Sequence, residues 1–209
     1  MNNFSPNMLK TFKNCPVKYN FKYIKKISIP QKASTFEKGK KIHALANYYL
    51  RGDNIDKLEK ALTSDEKQIW ENLKNNEYFK KKCVNSEYNL SCKIANFWIG
   101  GRLDALVKDD KFYYILDYKT GTVPQNPDYD FQTMVYLLAA NKMYGDKLKF
   151  VYIDLKNNLN HITNFDLTRQ SEYEKLIIDI CKKIESAQLP EEIEHSKSCD
   201  FCEYKKICI

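Results

Sequence analysis

Nowhere do these 209 residues hold an apolar stretch long enough to span a bilayer, which excludes a spanning helix among them and leads us to expect no membrane partner. Its polar start, MNNFSPNMLK, lacks the apolar core of a secretory signal, from which an intracellular, cytoplasmic protein is expected. A Gly-x-x-x-x-Gly-Lys loop is also missing, so any ATP-driven step must come from a partner. Acidic residues are absent from residues 1–36, where Lys10, Lys13, Lys18, Lys22, Lys25, Lys26 and Lys32 stand. Taking these 7 lysines from the 34 basic residues leaves 27, which balances the 27 acidic ones. The net charge of +7 therefore arises in this arm, and Lys18, Lys22, Lys25 and Lys26 become candidate contacts for a polyanion.

What is present fits one compact domain, since a chain of this length that is 43% hydrophobic and 13% aromatic can bury one good core. Its 7 cysteines are an odd number in a chain with no export signal, which argues against a disulfide framework and for metal binding. Cys199-x-x-Cys202 is followed by Cys208 within CDFCEYKKICI. One distant partner completes four thiolates, the set that tetrahedral Zn²⁺ or an iron–sulfur cluster requires, and Cys15 is the best candidate. Chemistry alone leaves both metals open, with His195 as a substitute ligand. Cys83, Cys92, Cys181 and His161 have no motif around them and read as packing residues.

Ser5-Pro6 is an N-cap and first-turn pair, so a helix is expected up to Cys15-Pro16, with a second over 17–26 carrying Tyr19, Phe21, Tyr23 and Ile24. A third helix over 34–50 places Gly39, His43, Ala46 and Leu50 near one stripe. Residues 53–80 read as helical and structural, with Thr63 and Glu66 as a capping box and Lys80-Lys81-Lys82 as a solvated helix end. Glu87 lies on an expected strand, SEYNLSCKI. After residue 121, a helix over 128–144 closes at Gly145 and places Gln132 and Tyr136 on one face. Strands over 147–155 and 159–167 and a helix over 168–187 follow.

The chain is organised around GGRLDALVKDDKFYYILDYKTG, residues 100–121. Leu103, Ala105 and Val107 alternate with Asp104 and Leu106, and Phe112, Tyr114 and Leu116 alternate with Tyr113, Ile115 and Asp117. With Lys108-Asp109-Asp110-Lys111 as the turn, this predicts a hairpin. Asp117 and Lys119 share a strand face, with Asp104 on the adjoining strand. Two carboxylates and one ammonium so placed suit a hard divalent cation and the hydrolysis of a phosphodiester.

Asp104 followed by Asp117-Tyr118-Lys119 resembles the core of the PD-(D/E)xK nuclease superfamily, and Leu-Asp-Tyr-Lys-Thr-Gly is similar to its RecB and AddB exonuclease branch. The opening SPNMLKTFKNCPVKYNFKYI, the Gly-x-x-x-His of Gly39 and His43, the Gln-x-x-x-Tyr of Gln132 and Tyr136, and the cysteine split match that branch in order. The resemblance implies an α/β, restriction-endonuclease-like fold with a mixed central sheet flanked by helices. It implies that His43, Asp104, Asp117 and the Tyr118 carbonyl bind Mg²⁺ or Mn²⁺, with Glu87 as a further candidate. Lys119 would act on the attacking water, and Gln132 and Tyr136 would support it or the DNA strand. Cys15, Cys199, Cys202 and Cys208 would hold a [4Fe–4S] cluster, Zn²⁺ being the alternative, and so join helices within 1–30 to the tail 188–209. The implied activity is exonucleolytic cutting of single-stranded or free-ended DNA to 5′-phosphate products. Alternatives are a CRISPR-associated trimming nuclease that works with an integrase, and a non-catalytic DNA-binding subunit of a helicase–nuclease complex.

Overall fold

The computed structural model describes residues 3–30, 34–187 and 197–208. His195 and Lys32, named above, lie outside them. A short strand β1 (Asn3–Phe4) leads into α1 (Pro6–Asn14), where the Ser5 hydroxyl caps the Met8 amide and Pro6 occupies the first turn. Cys15 ends α1 and begins α2 (Pro16–Tyr19), its Sγ accepting from the Lys18 amide at 3.3 Å. The helix expected over 17–26 is not uniform: α2 widens into a π-helical turn at Asn20–Ile24, and Lys26 then takes a left-handed φ of +52°.

Helix α3 (Ser34–Arg51) forms as expected, whereas the run over 53–80 divides into α4 (Asp56–Lys60) and α5 (Ser64–Asn75). Both halves of the Thr63–Glu66 capping box are present at the start of α5. Lys82 is no helix end; it opens strand β2 (Lys82–Ile94), longer than SEYNLSCKI, and Lys81 pairs with Asp109 at 2.8 Å while lying over Tyr78 and Tyr114. Strand β3 (Phe97–Lys108) starts earlier than the central stretch predicts, because it pairs with β2 along its length. Strand β4 (Tyr113–Lys119) completes the predicted hairpin, whose turn is shaped by Asp109 accepting from the amides of Lys111 and Phe112.

A 3-10 turn at Pro127–Tyr129 precedes α6 (Phe131–Tyr144), so the helix begins later than residue 128. Asp130 caps the Gln132 amide at its start, and Gly145 closes it at φ +78°. Strands β5 (Leu148–Asp154) and β6 (Leu159–Asn164) and helix α7 (Leu167–Ser186) follow, then a 3-10 turn at Lys197–Phe201 and α8 (Lys205–Cys208).

The six strands form one mixed sheet in the order β1-β3-β4-β5-β6, with β2 along the other edge of β3. β4 and β5 run parallel, as do β1 and β3. Apolar side chains bury both faces. Leu9 of α1, most of α6, and Tyr173, Ile177 and Cys181 of α7 cover one face, while Ile42, Leu45 and Ala46 of α3 with Trp70 and Leu73 of α5 cover the other. No described helix is long and apolar enough to cross a membrane.

Two features of β3 position the site. The alternation predicted for Leu103, Ala105 and Val107 slips: Leu103 and Leu106 pack with the α6 layer, Ala105 and Val107 with the α3 layer. This irregularity falls at Asp104, opposite Glu87, a strand residue with φ +47°. In addition, β3 and β4 pair only from Ala105↔Leu116 to Lys108↔Tyr113. Beyond that point the strands part, and Asp104 and Asp117 stand where they separate.

Candidate active site

A chain leaving a ladder exposes backbone donors and acceptors that need other partners. Here side chains supply them. The Tyr118 amide donates to Asp104 Oδ2 at 2.9 Å, and the Tyr136 hydroxyl donates to the Arg102 carbonyl at 2.9 Å. Tyr136 reaches that carbonyl over Gly101, where a Cβ would stand 2.8 Å from the tyrosine oxygen. Tyr136 thus holds the strand that carries Asp104.

Helix α3 brings His43 to the fork. Gly39, one turn earlier, allows a close approach to Thr120, since a Cβ there would lie 3.2 Å from the threonine hydroxyl. His43 Nδ1 is 3.2 Å from Asp104 Oδ1, and Nε2 is 3.0 Å from the Tyr118 carbonyl. An oxygen thus faces each ring nitrogen, the arrangement of an imidazolium donating at both. Burial works against that charge, but Asp104, together with Asp117 and Glu87, outweighs it and raises the His43 pKa. The site attracts positive charge into the space among these oxygens. Donor atoms of His43, Glu87 and Asp104 lie within 4.8 Å of one another, so Glu87 belongs to the cluster. It also pairs with Arg102 at 2.7 Å.

Asp117 faces the α6 side. Burial and the nearby charge of Asp104 push its pKa up to about 7, against the pull of Lys119. Lys119 Nζ lies 2.6 Å from Asp117 Oδ2 and donates to Gln132 Oε1 at 3.2 Å, and the Gln132 amide donates to Asp117 Oδ1. One glutamine therefore orients both the acid and the lysine. Lys119 also lies over the Tyr152 ring, 5.4 Å from its centroid. The predicted His43, Asp104, Asp117, Tyr118, Lys119 and Gln132 all meet at the fork. Asp117 stands outside the group formed by His43, Glu87 and Asp104, because its carboxylate is turned to Lys119 and Gln132.

A family model for the PD-(D/E)XK nuclease superfamily matches residues 3–209. The chain belongs to the PD-(D/E)XK nuclease superfamily. It is 25% identical over 123 residues to the CRISPR-associated exonuclease Cas4 of Francisella tularensis subsp. novicida, a match covering 58% of this chain and 61% of that one, under two thirds of its length. In fold it is similar to a Eubacterium rectale protein assigned as an exonuclease, with TM-score 0.55 and 14% identity over 94% of this chain and 86% of that one.

Within this superfamily member, sequence reasoning missed Asp130. Besides capping α6 it accepts from Lys10 at 2.8 Å and from the Tyr152 hydroxyl at 3.1 Å, so it fixes the helix end that presents Gln132. An acidic residue two positions before Gln132, at the start of an apolar run, was the available signal. Arg102 was missed too, and nothing in its spacing marked it.

Four of the cysteines gather beside α1. Cys15, Cys199 and Cys202 line one cavity with Lys10 and Lys18, and the Cys208 thiol is raised by burial and by the neighbouring Cys15, Cys202 and Cys199. The tail is fastened there by Lys18–Glu203 at 2.7 Å, by the Tyr204 hydroxyl donating to the Ile27 carbonyl at 2.9 Å, and by Tyr204 against Phe21. Lys18 is thereby engaged with the tail. Lys22 and Lys25 lie over the rings of Tyr23 and Phe21. Cys92 and Cys181 are buried as predicted, while Cys83 and His161 are half-buried.

Proposed function

We propose that this chain is a divalent-metal-dependent deoxyribonuclease, an exonuclease on single-stranded or free-ended DNA that leaves 5′-phosphate products. The observation that carries this reading is the Asp117–Lys119–Gln132 arrangement, built on a buried Asp117, beside the His43–Glu87–Asp104 cluster at the parting of β3 and β4. Carboxylates, a backbone carbonyl and an imidazole that already draws positive charge form a donor set suited to Mg²⁺ or Mn²⁺. His43, Asp104, Asp117 and the Tyr118 carbonyl would hold the ion, with Glu87 as a further ligand. Such an ion supplies charge neutralisation at the phosphate and a more acidic water.

The rest is done by this chain's own side chains. Lys119, held by Asp117 and Gln132, keeps its ammonium at the mouth of the fork, where it orients a water and stabilises negative charge developing on the phosphate. Gln132, hydrogen-bonded to both, orients the acid and the lysine. Tyr136 and Gly101 keep β3 in place so that Asp104 stays aimed at His43. The four cysteines form a thiolate set for a [4Fe–4S] cluster, with zinc the alternative, joining the ends of the chain.

Release of labelled nucleotides from single-stranded DNA with Mg²⁺ or Mn²⁺, and with EDTA as control, tests the reading. Asp117→Ala or Lys119→Ala should abolish release while leaving a folded protein. Wild-type rates in Asp117→Ala would refute the assigned site.

The similarity to Cas4 favours a second reading, in which the same chemistry trims DNA ends for an integrase. Residues Asp117-Tyr118-Lys119-Thr120-Gly121 argue for the free-standing branch, so the two compete on partner and not on chemistry. Co-purification with an integrase, or its absence, separates them.

A further inference from the structure

Arg102 stands two residues before Asp104 on β3, with its side chain 66% exposed. Its Nε lies 2.7 Å from Glu87 Oε2, while the Glu87 side chain is only 23% exposed. Glu87 is also one of the three donors gathered with His43 and Asp104. Its φ of +47°, unfavourable for a side-chain-bearing residue in a strand, is the kind of backbone strain that the surrounding structure sustains at functional positions. One carboxylate thus meets two cationic demands: the guanidinium on its outer side and the oxygen-rich space between His43 and Asp104 on its inner side.

Resting on the nuclease reading above, we propose that Arg102 is an exchangeable partner of Glu87. The divalent cation takes the carboxylate from it, and the released guanidinium binds a phosphate of the DNA strand. Three features support the exchange. The arginine side of the pair is open to water, so the guanidinium is rehydrated as it leaves, and the cation keeps the half-buried Glu87 carboxylate partnered. The Arg102 backbone is pinned by Tyr136, so the side chain turns about a fixed point. The cleft into which it turns is lined by Lys40, Asn47, Tyr48 and Thr120, with Lys40 adding a second positive charge. A guanidinium fork matches phosphate oxygens in a way a lone ammonium does not. Cation and DNA then bind cooperatively, because the cation frees a group that DNA uses.

The test uses the full chain and two measurements. Calorimetric titration with Mn²⁺, without DNA, should give tighter binding for Arg102→Gln than for wild type. In a Glu87→Gln background the same change should give a much smaller gain, which separates competition for Glu87 from simple loss of a positive charge. Binding of single-stranded DNA by a Lys119→Ala protein with Mn²⁺ should weaken about tenfold on adding Arg102→Gln, with Arg102→Lys intermediate. Equal Mn²⁺ gains in both backgrounds, or unchanged DNA affinity, would overturn the exchange while leaving nucleotide release by wild type intact. A wild-type protein that neither binds Mn²⁺ nor releases nucleotides would overturn the nuclease reading as well.

Discussion

Asp117 and His43 are the residues whose protonation ties the site to stability. The folded form of Asp117 keeps its proton up to about 7, whereas an unfolded aspartate has lost it near 3.9. Between those values the folded chain binds the extra proton, so stability falls as pH rises through that window. His43, whose pKa is raised, acts in the same sense: its stabilising contribution is complete below the unfolded value and is lost as pH climbs through the folded one. We therefore expect the melting temperature of EDTA-treated protein to fall from about pH 5 to about pH 8, and to fall less in Asp117→Asn. Added Mn²⁺ should raise it more at the upper end, where Asp117 is free of its proton. A melting temperature rising over this range in EDTA would contradict the assignment.

At the scale of elements, the fork depends on α6 gripping β3. Tyr136→Phe removes the donor to the Arg102 carbonyl and should cost about 1 kcal/mol, the net worth of an intramolecular hydrogen bond. Gly101→Ala drives a methyl group against the same hydroxyl and should act through the same bond. In a double-mutant cycle read by denaturant unfolding, the pair should be clearly less than additive. Additive losses would mean that the two residues act separately. Both substitutions leave Lys119 and Asp117 themselves unchanged, yet cutting should slow because Asp104 loses its support.

At the scale of the whole fold, the segment around Cys15 meets the segment 197–208 through Lys18–Glu203 and Tyr204–Ile27. Cys15 at the start of α2 and Cys199, Cys202 and Cys208 near the end of the chain enclose almost all of the sequence in one loop. A four-thiolate site there would restrain the unfolded chain strongly. Anaerobically purified protein should be brown and carry about four irons per chain, and Cys15→Ser should lose the colour and melt earlier. Stoichiometric zinc without iron or sulfide would favour the alternative metal. The same end of the molecule carries the acid-free lysine arm. Because Lys18 is already paired with Glu203, the DNA contribution should come from Lys22, Lys25 and Lys26. Replacing these three by glutamine should lower the salt slope of single-stranded binding by about 0.7 for each phosphate no longer neutralised. An unchanged slope would make the arm a solvated face.

Much of this was legible in one dimension, wherever a local rule carried the information. Ser5-Pro6, the Thr63–Glu66 box, Gly145 and the Asp109 turn depend on neighbours within a few residues, and each appears as read. Asp117 and Lys119 share a face because strand periodicity requires it, and the order of His43, Asp104, Asp117, Lys119 and Gln132 was enough to suggest a family. Tertiary structure decided the rest. The slip at Asp104, the left-handed φ of Glu87 and the break of the π-helical turn at Asn20–Ile24 follow from how layers pack, and short-range propensity carries no trace of them. The grip of Tyr136 on Arg102 spans 34 residues and the Lys18–Glu203 pair spans 185, so only folding could reveal either. Sequence alone determined which groups are available for the chemistry. Where β3 parts from β4 determined which of them meet, because backbone groups freed from a ladder must find partners, and the side chains that satisfy them here are the ones that build the site.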